Sequence, residues 1–230
     1  MQAIVLAGGM GSRLRSVVAD VPKPMAPVAG RPFLEYLLQA LADAGFERIV
    51  LSVGHMAQTI VDHFGPHHRG MQIEYAIELQ PLATGGATRV ALQHVTEDHA
   101  YVLNGDTFVQ FDAAGLERIW RERHTPVIVA REVDDTSRFG RLDVVDGRVT
   151  RFCEKGIAGP GLINAGVYLL PRIALDAFEP GRAFSLEQDY LAPAVLETDF
   201  SVVTAHGLFI DIGVPEDYRR AQQLFSGFSA

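Results

Sequence analysis

The residues best suited to chemistry in this chain are a glycine-rich loop after the first apolar run and two lysines. The loop contains Gly8, Gly9 and Gly11, and glycines let the backbone approach a ligand and present N–H groups to phosphate oxygens. Of 20 Lys and Arg residues, only Lys23 and Lys155 are lysines, and arginine's planar fork does not replace a compact ammonium charge. A tight strand-to-helix turn also explains the glycines, but the two features together favour phosphate binding.

Two further positions need an explanation. Lys23 lies between Pro22 and Pro24, which restrict the backbone on both sides of it. Asp211 interrupts an apolar run, where a carboxylate without a partner is unfavourable. Helix capping accounts for the Pro-Glu-Asp at 215–217 but leaves Asp211 without a structural reason.

Apolar runs that alternate with helical patterns must position these residues. Runs rich in Val, Ile and Leu, which are typical of buried parallel strands, cover 3–6, 49–53, 101–103 and 127–130. Helical patterns cover 33–44, 56–64, 86–95 and 116–123. This alternation predicts an α/β fold with right-handed crossovers.

The rhythm changes after about residue 131. Asp146-Gly147, a hairpin turn signal, separates predicted strands at 140–145 and 148–154. Further predicted elements are a strand at 162–170, a helix at 185–196, a strand at 200–205 and a helix at 215–225. Without a linker or an internal repeat, residues 1–230 are expected to form a single domain.

Composition excludes several classes of function. A net charge of -8 opposes nonspecific nucleic-acid binding, and no apolar run is long enough to span a membrane or to act as a signal peptide, so a cytoplasmic protein is expected. One cysteine, Cys153, rules out an internal disulfide. A zinc site at His63 and His67 is disfavoured because Gly65-Pro66 breaks the intervening helix.

Several motifs resemble those of the sugar-1-phosphate nucleotidyltransferase family. The signature is Leu-Ala-Gly-Gly-Met-Gly-Ser-Arg-Leu at 6–14 followed by Pro-Lys-Pro-Met at 22–25, and similar segments recur in family order at 82–87, 104–106, 139–141, 154–155, 163–166 and 209–218. Ala83 and Val214 depart from a usual Gly and Thr. The resemblance implies a Rossmann-like three-layer αβα fold with a mainly parallel mixed sheet and a small β substrate-binding lobe.

The resemblance also implies roles for individual residues. A nucleotide-binding half, about 1–110, would bind the triphosphate through Leu6, Ala7, Gly8, Gly9, Gly11, Ser12, Arg13, Gln80, Thr84, Gly85 and Asn104. A sugar-phosphate half, about 111–230, would use Gly140, Glu154, Lys155 and Asn164. Mg²⁺ would be held by Asp106 and Asp211, and the catalytic set would be Arg13, Lys23, Asp106 and Lys155. No C-terminal left-handed β-helix is expected.

The pattern is most similar to the guanylyltransferases that act on D-glycero-α-D-manno-heptose 1-phosphate. This similarity implies GTP and a sugar 1-phosphate as substrates, with a nucleotide sugar for surface glycans such as lipopolysaccharide or capsule as the product. Mannose-1-phosphate guanylyltransferases and an N-acetylmuramate or hexose-1-phosphate uridylyltransferase remain open. A nucleotide-sugar-sensing regulatory protein is the alternative outside the enzymes, and retention of both aspartates and both lysines argues against it. A glycosyltransferase is disfavoured because no Asp-x-Asp motif follows an apolar run, and a homodimer is left open.

Overall fold

A computed structural model describes residues 1–9, 18, 21–153 and 156–227. The helices are α1 (Phe33–Asp43), α2 (Ala57–Phe64), α3 (Ala83–Ala91), α4 (Ala113–Arg123), α5 (Ala192–Glu197) and α6 (Pro215–Phe225). The strands are β1 (Gln2–Leu6), β2 (Pro27–Val28), β3 (Arg31–Pro32), β4 (Arg48–Val53), β5 (His67–His68), β6 (Met71–Ile77), β7 (His99–Asn104), β8 (Thr107–Val109), β9 (Val127–Val133), β10 (Arg141–Val145), β11 (Arg148–Phe152), β12 (Gly161–Pro171), β13 (Ser201–Ala205) and β14 (Phe209–Asp211).

A ten-stranded mixed sheet forms the middle layer, in the order β10-β11-β13-β9-β12-β7-β1-β4-β6-β5. The strands β7, β1, β4 and β6 are parallel to one another, whereas β12 runs antiparallel to β7 and β9. The four parallel strands therefore end at one edge, where ligands bind in open α/β sheets.

Helices cover both faces of the sheet. On one face, Leu37 of α1, Ile60 of α2 and Leu116 of α4 are buried in one apolar cluster with the strands. On the other, Ala91 of α3 and Val195 of α5 belong to a second cluster. This arrangement confirms the predicted three-layer α/β fold.

A third apolar cluster lies outside the main sheet. The strands β8 and β14 pair as a separate two-stranded sheet, and Phe108 and Ile210 from these strands pack with Phe33 of α1 and Phe225 of α6. The small sheet fixes the position of Asp211, which is its last residue.

Several elements differ from the sequence prediction, which lacked the short strands β2, β3, β5, β8 and β14. The prediction did not include β6, although its alternating pattern of apolar and polar residues is typical of a strand. α3 begins at Ala83 instead of 86, and the predicted helix at 185–196 divides into a π-helical turn (Leu186–Leu191) and α5. None of the helices in the described ranges is long and apolar enough to cross a membrane.

Candidate active site

A cleft of about 550 Å³ opens at the edge where β1, β4, β6 and β7 end. It collects residues from the segments that follow β1, β4 and β6, together with the end of β7. The residues predicted from sequence that line it are Leu6, Gly8, Gly9, Lys23, Gln80, Thr84, Asn104 and Asp106. The cleft is large enough for a nucleotide-sized ligand.

Close backbone approach explains two glycines at this edge. A Cβ on Gly8 would lie 2.5 Å from Glu78 Oε1 and 3.2 Å from the backbone nitrogen of Gly54, and a Cβ on Gly105 would lie 2.7 Å from the carbonyl oxygen of Leu6. Gly105 also donates its N–H to that carbonyl at 2.9 Å. The glycines therefore let the cleft floor close tightly around the end of β1.

Asp106 and Asp211 are brought together by the β8–β14 pairing. Asp211 is the register partner of Thr107, and the N–H of Ile212 donates to the carbonyl of Asp106 at 3.0 Å. These contacts place two carboxylates from distant parts of the chain at the same rim of the cleft.

Lys23 is the counter-ion of both carboxylates. Its ammonium group forms a salt bridge with Oδ2 of Asp106 and lies 4.0 Å from Oδ1 of Asp211. The lysine side chain is only 10% exposed, and Pro24 beside it is buried. The flanking prolines thus belong to a short, packed turn that aims the ammonium group at the aspartates.

The electrostatic environment of Asp211 favours a bound cation. Burial raises the pKa of its carboxyl, and the nearby negative charge of Asp106 raises it further, while Lys23 and the N–H of Gly213 lower it. The N–H of Gly213 donates to Asp211 Oδ1 at 2.7 Å. A single ammonium charge therefore leaves two adjacent carboxylates incompletely compensated.

The two aspartates fit a hard divalent cation. Mg²⁺ is usually held by one or two carboxylates together with water and substrate phosphate oxygens, and Asp106 and Asp211 supply such a pair. Within the described ranges no group of three or more His, Cys, Asp or Glu side chains forms a complete metal site. The remaining oxygen ligands would have to come from phosphate and water.

Two predicted nucleotide contacts have other structural partners. The amide of Ala7 donates to the carbonyl of Ser52 at 2.7 Å, and Ala7 is fully buried. Gly85 packs against Phe184, whose ring would lie 2.3 Å from an added Cβ, and it is not among the residues that line the cleft. Phe184 alone is sufficient to require a glycine at position 85.

On the sugar side, Asn164 lies at an irregularity of β12. The pairing of β12 with β9 shifts between Asn164 and Val167, and Asn164 Oδ1 accepts the N–H of Gly166 at 3.0 Å. Gly166 has a φ of 73°, and a Cβ there would lie 2.6 Å from the side-chain nitrogen of Asn104. The bulge therefore packs directly on a cleft residue.

The remaining predicted site residues are less informative. Gly140 lies just before β10, and a Cβ added there would lie 3.5 Å from the carbonyl oxygen of Cys153. Five predicted residues lie outside the described residues: Gly11, Ser12, Arg13, Glu154 and Lys155. His63, considered above for zinc, instead contacts Oε1 of Glu35 at 2.7 Å.

The sequence analysis missed Glu78. This residue follows β6 directly and lines the cleft opposite Gly8; its carboxylate accepts hydrogen bonds from Ser52 Oγ at 3.3 Å and from the N–H of Leu82 at 3.1 Å. Burial raises its pKa. The sequence contained a signal for this residue, because Glu78 directly follows a run of alternating apolar and polar residues. That run was not predicted as a strand, so the glutamate after it was not considered.

Comparison with known proteins gives consistent matches across almost the whole chain. The family model described as "Nucleotidyl transferase" matches residues 2–226. The chain is 39% identical over 228 residues to a D-glycero-alpha-D-manno-heptose 1-phosphate guanylyltransferase of Aneurinibacillus thermoaerophilus, covering 97% of each protein. It is 38% identical to a protein of the same description from Campylobacter jejuni, covering 95% of this chain and 97% of that protein.

A solved structure matches in fold as well as in sequence. The crystal structure of HddC from Yersinia pseudotuberculosis, complexed with GMP-PN, superposes with a TM-score of 0.86 at 37% identity and covers 97% of this chain and 99% of that chain.

Proposed function

The chain belongs to the nucleotidyl transferase family, and from this premise we propose that it transfers GMP from GTP to D-glycero-α-D-manno-heptose 1-phosphate and releases pyrophosphate. The convergence of Lys23, Asp106 and Asp211 at the rim of a nucleotide-sized cleft is the observation that carries the proposal. The guanylyltransferases described above support the choice of substrates.

The reaction needs positioning and charge compensation more than proton transfer. A sugar 1-phosphate is largely a dianion at neutral pH, since its second pKa is about 6, so its oxygen can attack the α-phosphorus of GTP without a general base. The bond between the α-phosphorus and the bridging oxygen breaks, and pyrophosphate leaves with that oxygen. The main barrier is repulsion between two polyanions, which fixed cations reduce.

Lys23 supplies a fixed cation at the reacting centre. The contacts with Asp106 and Asp211 keep the ammonium group at the cleft rim. When phosphate oxygens enter, the ammonium group can donate to them while its aspartate partners hold it in place. Arg13 and Lys155 are proposed to add positive charge on the triphosphate and on the sugar phosphate.

Members of this family typically use a divalent metal, and we assign Mg²⁺ to Asp106 and Asp211. Mg²⁺ would supply positive charge to the phosphate oxygens of both substrates. Asp106 and Asp211 would hold it, because the β8–β14 pairing brings both residues to the same rim.

Glu78 provides a physical reason for a preference for guanine over uracil. Its carboxylate faces the cleft beside Gly8, and the Watson–Crick edge of guanine presents an N1–H and a 2-amino group, two donors that one carboxylate can accept together. Uracil presents a single N–H between two carbonyl oxygens, which a carboxylate would repel. The loop glycines Gly8 and Gly9, with Gln80, Thr84 and Asn104, are proposed to enclose the rest of the nucleotide.

The proposal is tested by measuring pyrophosphate release with a panel of substrates. GTP, UTP, CTP and dTTP are each combined with heptose 1-phosphate, mannose 1-phosphate and N-acetylmuramate 1-phosphate in the presence of Mg²⁺. The highest kcat/KM is expected for GTP with heptose 1-phosphate. A preference for mannose 1-phosphate or UTP would replace the substrates, and nucleotide binding without any turnover would indicate a sensing protein.

A further inference from the structure

A chain of hydrogen bonds connects the nucleotide cleft with the sugar side of the site. The hydroxyl of Thr84 donates to Oε2 of Glu187 at 3.0 Å. The hydroxyl of Tyr168 donates to the other oxygen, Oε1, at 3.4 Å. That same hydroxyl accepts a hydrogen bond from the side-chain amide of Asn164 at 2.6 Å. Glu187 therefore accepts hydrogen bonds from side chains of both halves.

The central members of this chain have no alternative arrangement of their protons. Tyr168 is completely buried, and burial together with the Glu187 charge raises the pKa of its hydroxyl well above the usual value, so it stays a donor. The Thr84 hydroxyl also accepts the N–H of Leu186 at 2.9 Å, and its single proton is committed to Glu187. Both hydroxyl protons therefore point to the carboxylate.

The two ends of the chain lie where the substrates are proposed to bind. Thr84 lies in the first turn of α3 and lines the cleft. Asn164 lies in the β12 bulge whose Gly166 packs against the cleft residue Asn104. An asparagine amide has two donor hydrogens and two acceptor lone pairs, so Asn164 keeps one of each for a sugar hydroxyl after bonding Tyr168 and Gly166.

We propose that Glu187 is a positioning residue that couples the nucleotide subsite to the sugar subsite, through Thr84 on one carboxylate oxygen and through Tyr168 and Asn164 on the other. The inference rests on the proposed function, because it takes the two subsites from it. Nucleotide binding that fixes Thr84 and the start of α3 would restrict Glu187, and thereby set the orientation of the Asn164 amide before the sugar phosphate arrives.

The coupling depends on the two acceptor oxygens of a carboxylate. A glutamine at position 187 has one acceptor oxygen and one NH₂ group, so it cannot accept both hydroxyl protons. Glu187→Gln must therefore leave one of the two hydroxyls without an acceptor or reverse part of the chain. The volume hardly changes, and the substitution therefore separates coupling from packing.

Coupling is measured as a reciprocal change in affinity between two ligands. The dissociation constant of heptose 1-phosphate is determined by calorimetry with and without the unreactive α,β-methylene analogue of GTP, in the presence of Mg²⁺. In the unaltered protein the nucleotide analogue is expected to strengthen sugar-phosphate binding by about fivefold or more. In Glu187→Gln and in Tyr168→Phe the ratio is expected to fall to nearly one.

Further variants control for nonspecific effects and for misfolding. Glu197→Gln removes an exposed carboxylate at the end of α5 and should leave the ratio unchanged. Tyr168→Phe serves if Glu187→Gln does not fold, as judged by thermal unfolding.

Two outcomes overturn the inference: no coupling in the unaltered protein, or a coupling ratio that stays unchanged in both Glu187→Gln and Tyr168→Phe, including the case in which both affinities fall equally. Failure of the proposed function would appear separately, as an unaltered protein that releases no pyrophosphate from GTP and heptose 1-phosphate.

Discussion

The ammonium nitrogen of Lys23 lies 4.0 Å from Oδ1 of Asp211, the last residue of β14. Because Lys23 also forms a salt bridge with Asp106, one lysine from the start of the chain holds two carboxylates from its middle and its end. The charged groups to which the proposal assigns phosphate transfer thus converge from three distant parts of the chain, and charged groups held by such mutual contacts favour electrostatic preorganisation.

Removing one carboxylate should abolish most of the turnover. For Asp106→Asn we expect kcat to fall by about 10²–10³-fold, since the amide keeps the shape but not the charge for Mg²⁺ and Lys23. The decrease should be measured as pyrophosphate release over a Mg²⁺ titration. Asp146→Asn, in the exposed hairpin turn, is the matched control. Near-normal turnover of Asp106→Asn at saturating Mg²⁺ would remove the assigned role.

Lys23 should not be replaceable by arginine. The ammonium group contacts Asp106 within a packed turn, and the larger planar guanidinium cannot occupy the same position. We therefore expect Lys23→Ala and Lys23→Arg each to lower kcat by about 10²-fold or more, with Arg48→Lys, at the opposite end of β4, as a control. A Lys23→Arg variant with full activity would mean that only a positive charge is required.

Glu78 should govern the use of GTP. In Glu78→Gln one acceptor oxygen is lost, and we expect the KM for GTP to rise by about tenfold or more, with a smaller change for UTP. Because burial raises the pKa of Glu78, acidification should protonate it above the ordinary glutamate range and raise the KM for GTP. Steady-state kinetics from pH 5 to 8 test this dependence, which should be absent in Glu78→Gln.

Acidification, which should weaken GTP binding, should at the same time increase the contribution of Glu78 to the stability of the protein. A carboxyl whose pKa is higher in the folded state binds its proton more tightly there, so the contribution of Glu78 to the free energy of unfolding should increase as the pH falls. Urea denaturation at pH 5 and pH 7 measures the change. The free energy of unfolding at pH 5 minus that at pH 7 should be more positive in the unaltered protein than in Glu78→Gln. An equal difference in both proteins would contradict the assignment.

Gly85→Ala should destabilise the fold because of Phe184. An added Cβ would lie 2.3 Å from the Phe184 ring, and overpacking of this kind typically costs about 1–3 kcal/mol. The change should appear as a lower thermal midpoint. The loss caused by Gly85→Ala should be smaller in a Phe184→Leu background than in the unaltered protein. Gly227→Ala, where a Cβ meets no atom within 4 Å, should have little effect. Additive effects of the two substitutions would argue against a direct clash.

Local sequence patterns were sufficient to predict the fold class and the segment of the cleft that follows β1. The apolar run at β1, the glycines that follow it and the proline-flanked Lys23 are each recognisable within a few residues, because strand periodicity, glycine conformation and proline restriction are local properties. The resemblance also named Asp106 and Asp211, which the structure brings together.

Tertiary structure alone decided how distant residues share partners. The β8–β14 pairing joins Asp106 to Ile212, the packing of Phe184 requires Gly85, and the missed strand β6 places Glu78 opposite Gly8. The sequence of each segment records its own backbone preferences but not which remote segment will compensate its charge or fill its space. That choice is made by long-range packing and strand pairing, and it turned a set of separate motifs into one site.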